Sequence, residues 1–236
     1  MTTRLRNMLS TALAYARAEV VMLTALVIIA GGSFAFMKLA GEMSEGETHA
    51  FDMAVLQALH PGPDLRDPVG PAWLDTAAAD LTSIGSVSVL VLLSVAVGGF
   101  LVIKQRRLEA GIIAVALGGG LILSQGLKAV YERERPPDVY RAVEILNSSF
   151  PSGHAMLSAV VYLTLGAMIA RVTPGRAARI YVMSGAILLT LLVGSTRVYL
   201  GVHWASDVLG GWCAGAAWAT ACWLFERWAR RRLETA

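Results

Sequence analysis

The 236-residue chain is 56% hydrophobic and only 16% charged, well under the roughly 25% charge of an average soluble protein. One soluble core of this size cannot hide so much apolar surface, which places the chain in a membrane. The formal charge of +3 would suit a nucleic-acid binder, but the arginines flank apolar runs instead of forming one basic stripe, and that excludes nucleic acid as a partner.

Six uncharged apolar runs follow in order: Val20–Met37, Leu81–Ile103, Ala110–Leu127, Ala155–Ala170, Ile180–Thr196 and Val208–Phe225. A helix crosses the hydrocarbon layer in about 17–25 residues. The runs therefore predict an all-α, polytopic bundle of six transmembrane helices forming one domain over 1–236. The helices are expected near 20–39, 81–103, 109–129, 154–171, 179–197 and 207–226. The first run is long for a signal-peptide core and lacks a small-x-small cleavage site, so it reads as an uncleaved helix. Ala155–Ala170 is short, and its ends must draw on polar residues. In the last run Gly211, Gly215 and Ala219 recur every four residues, a ridge that permits close helix packing. Cys213 and Cys222 share that run but sit about 13 Å apart along a helix, too far to pair.

Positive charge sets the orientation. Arg4, Arg6 and Arg17 precede the first run; Lys104, Arg106 and Arg107 follow the second; Arg171, Arg176 and Arg179 follow the fourth; Arg227, Arg230, Arg231 and Arg232 follow the sixth. These segments alternate, so both termini are expected in the cytoplasm. Segment 40–80 has Arg66 as its one cation after Lys38 and carries eight carboxylates, so it belongs outside. Within it, Phe51–Leu59 has helical apolar spacing suited to the interface, and Pro61, Pro63, Pro68 and Pro71 prevent a longer helix. Trp73 and Trp204 on the outer side, with Trp223 and Trp228 on the inner, suggest aromatic belts.

Connections 128–154 and 197–207 then also lie outside, yet they keep Lys128, Arg133, Arg135, Arg141 and Arg197. Cations that persist against the charge bias point to a use. For Arg133 and Arg141 the alternative is contact with lipid headgroups.

Three motifs sit in these connections: Lys128-x6-Arg135-Pro136, Pro151-Ser152-Gly153-His154, and Arg197-x5-His203-x3-Asp207. Hydrolysis of a phosphate ester requires the removal of about 20 kcal/mol of barrier or more. That demands fixed cations, a nucleophile and an acid for the leaving group. Lys128, Arg135 and Arg197 can surround phosphoryl oxygens, the arginines by bidentate contact. Pro136 disfavours helix at Arg135. Ser152 suits the N-cap of the fourth helix, where backbone N–H groups bind anions, and Gly153 lets a phosphate approach the backbone. His203 and Asp207 share a face if the sixth helix begins early. The carboxylate would then orient the imidazole for attack, and His154 would protonate the departing oxygen. A metal centre is disfavoured by the surrounding cations.

The order and spacing of these motifs resemble the type-2 phosphatidic acid phosphatase superfamily, which includes membrane lipid phosphatases, soluble acid phosphatases and vanadium haloperoxidases. The resemblance covers the chain with most certainty from about Leu81 onward. Thr196 departs from it, since the family usually has Ser directly before the motif arginine. By resemblance, His203 is the nucleophile, His154 the acid/base and Asp207 the orienting carboxylate. Lys128, Arg135, Ser152, Gly153 and Arg197 bind phosphate, with no metal or other cofactor. The expected protein is a phosphatase in a bacterial inner membrane, its site facing the periplasm and its substrate a lipid phosphate of the outer leaflet. Undecaprenyl diphosphate suits that address. Phosphatidylglycerophosphate is the alternative, with phosphatidic acid and lipid A phosphates open. A haloperoxidase and a non-catalytic lipid carrier are the rival classes. The membrane helices argue against the first, and the paired histidines with Asp207 against the second.

Overall fold

A computed structural model describes the backbone of residues 2–140 and 147–234, with side chains from 19–140 and 147–233. The described residues form eight α-helices and no strand. They are α1 (Thr2–Ser44), α2 (His49–Leu59), α3 (Ala72–Ser83), α4 (Val87–Ile103), α5 (Arg107–Tyr131), α6 (Gly153–Val172), α7 (Arg176–Tyr199) and α8 (Ala205–Glu234). Five stretches are long and apolar enough to cross a membrane: Glu19–Ser44 of α1, then α5, α6, α7 and most of α8. A sixth forms if α3 and α4 are taken together across their 48° bend. The chain is a multi-span membrane protein.

The uninterrupted helix expected over 81–103 is divided. Ser86 adopts an extended conformation, and its hydroxyl accepts the N–H of Val89 at 3.4 Å, so a new helix is capped there. Side chains such as Leu92, Val95 and Ile122 are largely exposed, as lipid-facing residues are in a bundle whose solvent is acyl chain.

Helix α6 is the hub, packed against α4, α5, α7 and α8. The small-residue ridge of α8 works as expected. A Cβ on Gly211 would lie 2.8 Å from the Ser152 carbonyl oxygen, and one on Gly215 would lie 2.5 Å from that of Met156. Helix α8 can therefore approach the first turns of α6 only without those side chains. Phe36, Phe150, Met156 and Ala214 fill the space beside this contact. Cys213 and Cys222 are both free thiols.

Helix α2 does more than lie at an interface. Its Asp52 and Leu56, four residues apart, are both buried. Leu56 packs with Tyr140 and Trp204. Trp204 is thus buried, and its indole N–H donates to the Glu134 carbonyl at 2.9 Å; it belongs to this cluster and not to an aromatic belt. Trp73 and Trp228 are exposed.

At the other end of α5, α6 and α8 stands an ion network. Arg171 meets Glu226 at 2.6 Å, and Arg230 meets Glu109 at 2.7 Å and Glu226 at 2.8 Å. Both carboxylates are buried. The network ties together helices whose opposite ends carry the motif residues.

Candidate active site

Each motif residue is placed by the end of a helix. Helix α5 stops because Glu132 turns into the left-handed region (φ 41°), its N–H closing on the Lys128 carbonyl at 3.1 Å. Lys128 therefore lies in the last turn, where a cation suits the helix dipole. It is buried and donates to the carbonyl of Ser148. Residues 132–135 then run without helix, which carries Arg133 and Arg135 across the mouth of the bundle.

Helix α6 begins at Gly153 with Ser152 as its N-cap residue. The Ser152 hydroxyl makes no cap bond. Its backbone N–H instead donates to the Asp207 carbonyl at 3.0 Å, which joins the second motif to the third. The hydroxyl is buried without a protein partner, as is Nε of Arg197. Buried polar groups are normally satisfied, so both are suited to a polar ligand. Arg197, in the last turn of α7, spends one Nη on the Thr82 hydroxyl at 3.0 Å. At Gly153 a Cβ would come no closer than 3.7 Å to any side chain or backbone around it. Protein packing around it does not require glycine there, and the missing Cβ leaves the backbone open to a ligand. His154 follows in the same first turn, half-buried.

After α7 the chain reverses at Gly201 (φ 63°), where a Cβ would strike the Tyr140 carbonyl oxygen at 2.4 Å. The turn puts His203 outside any helix, its N–H on the Arg197 carbonyl at 3.2 Å. Helix α8 starts at Ala205, two residues later than a shared helical face for His203 and Asp207 would need. The pair meets all the same: His203 Nδ1 is 3.2 Å from Asp207 Oδ2.

The other ring nitrogen, Nε2, lies 3.1 Å from Arg135 Nη1. A guanidinium only donates, so Nε2 accepts and Nδ1 carries the proton to Asp207. Arg135 also donates to the Val202 carbonyl at 2.7 Å and to Asn147 Oδ1 at 2.6 Å. Burial pushes the His203 imidazole down to about 4, assisted by Arg135 and Arg197 and opposed by Asp207. The ring is neutral at ordinary pH, with its Nε2 lone pair directed toward the arginine.

Asp207 is fully buried and held by more donors than the sequence suggested. Oδ2 accepts from the Trp204 N–H at 2.9 Å and from the Ser149 hydroxyl, which also lies 3.3 Å from His203 Nδ1. Oδ1 accepts from Arg133 at 2.6 Å. Arg133 stacks over Trp204 at 5.6 Å and uses its other Nη on Asp52 at 2.7 Å. Arg133 therefore serves a buried ion pair and not the lipid headgroups. Ser149 and Asp52 escape sequence reasoning. Ser149 has no spacing signal, whereas Asp52 could have been noticed as a carboxylate on the apolar face of a predicted helix. Arg141 lies outside the described residues.

Lys128, Arg135 and Arg197 stand close enough to feel one another's charge, and Lys128 also feels Asp207. Such a cluster of like charges is costly unless an anion joins it. A cavity of about 770 Å³ opens beside it, lined by Lys128, Arg133, Arg135, Pro136, Asn147 and Ser148 among others. Three cations, a neutral imidazole with its unprotonated Nε2 held by Arg135 and a second histidine at a helix N-terminus form a site able to transfer a phosphoryl group.

Comparison with known proteins agrees with this chemistry. Residues 109–231 match the PAP2 superfamily. The chain is 31% identical over 183 residues to phosphatidylglycerophosphatase B of Bacillus subtilis (strain 168), covering 76% of this chain and 85% of that protein. It is 29% identical over 126 residues to undecaprenyl-diphosphatase of Sulfolobus acidocaldarius, covering 51% of this chain and 57% of that one. Among solved structures, the transmembrane PAP2 type phosphatidylglycerolphosphate phosphatase from Bacillus subtilis aligns with a TM-score of 0.77 at 27% identity, over 85% of this chain and 96% of that one. Aquifex aeolicus LpxE aligns with a TM-score of 0.55 at 20% identity, over 73% and 94%, a likeness of fold.

Proposed function

Because the chain belongs to the PAP2 superfamily and is a membrane lipid phosphatase, we propose that it hydrolyses undecaprenyl diphosphate to undecaprenyl phosphate through a phosphohistidine on His203, without a metal. The observation that carries the phosphohistidine step is the chain of contacts Asp207–His203–Arg135. The carboxylate accepts a hydrogen bond from Nδ1–H, which leaves Nε2 as the nucleophile, and Nε2 faces a guanidinium suited to phosphoryl oxygens.

The terminal phosphate enters among Lys128, Arg135 and Arg197, with the Ser152 hydroxyl and the first N–H groups of α6 completing the cradle. Nε2 attacks phosphorus while the P–O bond to the lipid phosphate breaks. His154, an imidazolium once the negative phosphate oxygens offset the cations around it, gives its proton to that departing oxygen and becomes neutral. The positive charge that develops on the imidazole is met by Asp207. In the second step His154 takes a proton from water, the oxygen attacks phosphorus, and the P–N bond breaks to release inorganic phosphate. Both histidines return to their starting states.

The positive-charge pattern of the connecting segments supports placing both termini in the cytoplasm of a bacterial inner membrane, so that the site meets the outer leaflet. Undecaprenyl diphosphate is released on that side. The name of the Bacillus subtilis relative favours a second reading, phosphatidylglycerophosphate. A panel of purified lipid phosphates and diphosphates compared by kcat/KM in detergent decides between them; a preference for phosphatidylglycerophosphate would replace the first reading with the second. EDTA is expected to leave turnover unchanged and vanadate to inhibit it. A strict requirement for added divalent metal would overturn the cation-only site.

A further inference from the structure

Asp207 is shared. Its Oδ2 faces His203, but its Oδ1 is taken by Arg133 at 2.6 Å. A guanidinium at that distance draws the carboxylate's charge away from the imidazole, just where positive charge must develop during attack. Taken alone, this contact opposes the reaction.

The opposition is offset from an unexpected place. Asp52, on α2 and far from the motifs in sequence, is 1% exposed. Its Oδ2 accepts from Arg133 Nη2 at 2.7 Å and from the Ser206 hydroxyl, and its Oδ1 accepts from the Ser206 N–H at 2.9 Å. Both oxygens meet only donors, as an ionised carboxylate requires. Arg133 also donates to the Ser206 hydroxyl at 2.7 Å. Two buried carboxylates thus share one guanidinium, and Ser206, next to Asp207, links them.

We propose that Asp52 is a positioning residue that balances the charge of Arg133, so that the net negative charge of Asp207 remains available to His203 as it is phosphorylated. The group of Asp52, Arg133 and Asp207 carries one net negative charge. Without Asp52 it carries none, and a phosphohistidine forms beside a neutral ion pair. This rests on the reading of His203 as nucleophile. It also gives the segment before the family match a part in the chemistry: α2 closes over the motif loops and carries a required charge.

The test is a set of variants assayed with a lipid diphosphate in detergent, with thermal melting of each purified protein. Asp52→Asn is expected to lower kcat about 10- to 100-fold with little change in KM, the range found for partners one layer behind the histidines of metal sites. Asp52→Glu keeps the charge and is expected to stay within a few-fold of wild type. The decisive protein is the double variant Asp52→Asn with Arg133→Gln. It removes both charges, returns the group to one net negative charge on Asp207, and is expected to recover much of the kcat lost in Asp52→Asn. A role in packing alone predicts a double variant no better than the single one and a Glu variant as poor as the Asn variant; either result overturns the proposal. Should the double variant not fold, the contrast between Glu and Asn still decides it. Turnover by His203→Ala would instead mean that the nucleophile is wrongly assigned, a separate failure.

Discussion

Arg135 Nη1 stands 3.1 Å from His203 Nε2, and this contact decides which nitrogen of the ring is free of a proton. The same guanidinium that holds the lone pair in place has the planar fork that bidentate contact with a phosphoryl group needs. Arg135→Lys removes the planar fork while keeping a charge. It is expected to lower kcat/KM about 100-fold or more, the scale of losing one fixed donor at a reacting oxygen. His203→Ala is expected to show no measurable turnover with a normal melting profile. Phosphate release from the lipid diphosphate measures both.

Asp207→Asn keeps the shape of the side chain and removes its charge. Its amide nitrogen would oppose the donors that now surround the carboxylate: Arg133, Ser149, the Trp204 N–H and His203. The imidazole loses its tautomer, a change that costs about 10⁴-fold in kcat in the serine-protease triad. A loss of similar order is expected here. The melting temperature also falls, since a buried guanidinium loses one of its two carboxylates. Wild-type kcat in this variant would remove Asp207 from the mechanism.

The pH response of His203 follows from its surroundings. Its value in the folded protein, about 4, is below the ordinary 6.5 because burial penalises the charged ring. Between those values the unfolded chain binds a proton that the folded protein does not. The stability contributed by a neutral His203 is therefore present above about pH 6.5 and lost as pH falls toward 4. Carbon-13 NMR of the labelled ring, assigned through the His203→Ala variant, is expected to show a midpoint well below 6.5 without substrate. A midpoint near or above 6.5 contradicts the buried, neutral ring.

Gly215 tests the packing that positions the second motif. A Cβ there lies 2.5 Å from the Met156 carbonyl and 2.8 Å from the Ala159 Cβ. Gly215→Val forces α8 away from α6 and is expected to destabilise by about 1–3 kcal/mol, as overpacking does. The N–H of Met156 closes the first turn of α6 on Ser152, so kcat falls with stability. Thermal melting in detergent and turnover on the same sample show whether the two change together.

Glu226→Gln separates stability from chemistry. It leaves Arg171 without its 2.6 Å partner and weakens the hold on Arg230. The arginines are partly exposed, so the loss is expected at about 1–3 kcal/mol, below that of a fully buried pair. Glu109 and Lys128 lie about 28 Å apart along α5, so KM is expected to stay unchanged. A large rise in KM would mean that the two ends of the bundle are coupled.

The sequence by itself determined the membrane bundle, because long apolar runs have no stable alternative in water. It also named the candidate parts of the site, Lys128, Arg135, Ser152, Gly153, His154, Arg197, His203 and Asp207, which follow or precede the ends of apolar runs. The small-residue ridge on α8 was legible for the same local reason, since four-residue spacing marks one helix face. Only the tertiary structure decided how the parts pair. The break before α4, the turn at Gly201 that frees His203 from α8, and the burial of Trp204 depend on neighbours distant in the chain. Above all, Arg133 faces inward to two carboxylates because α2 folds over the motif loops and excludes water from Asp52. A lone charge in a connecting segment reads as solvated, and only the packing around it makes it a buried partner of the carboxylate that holds His203.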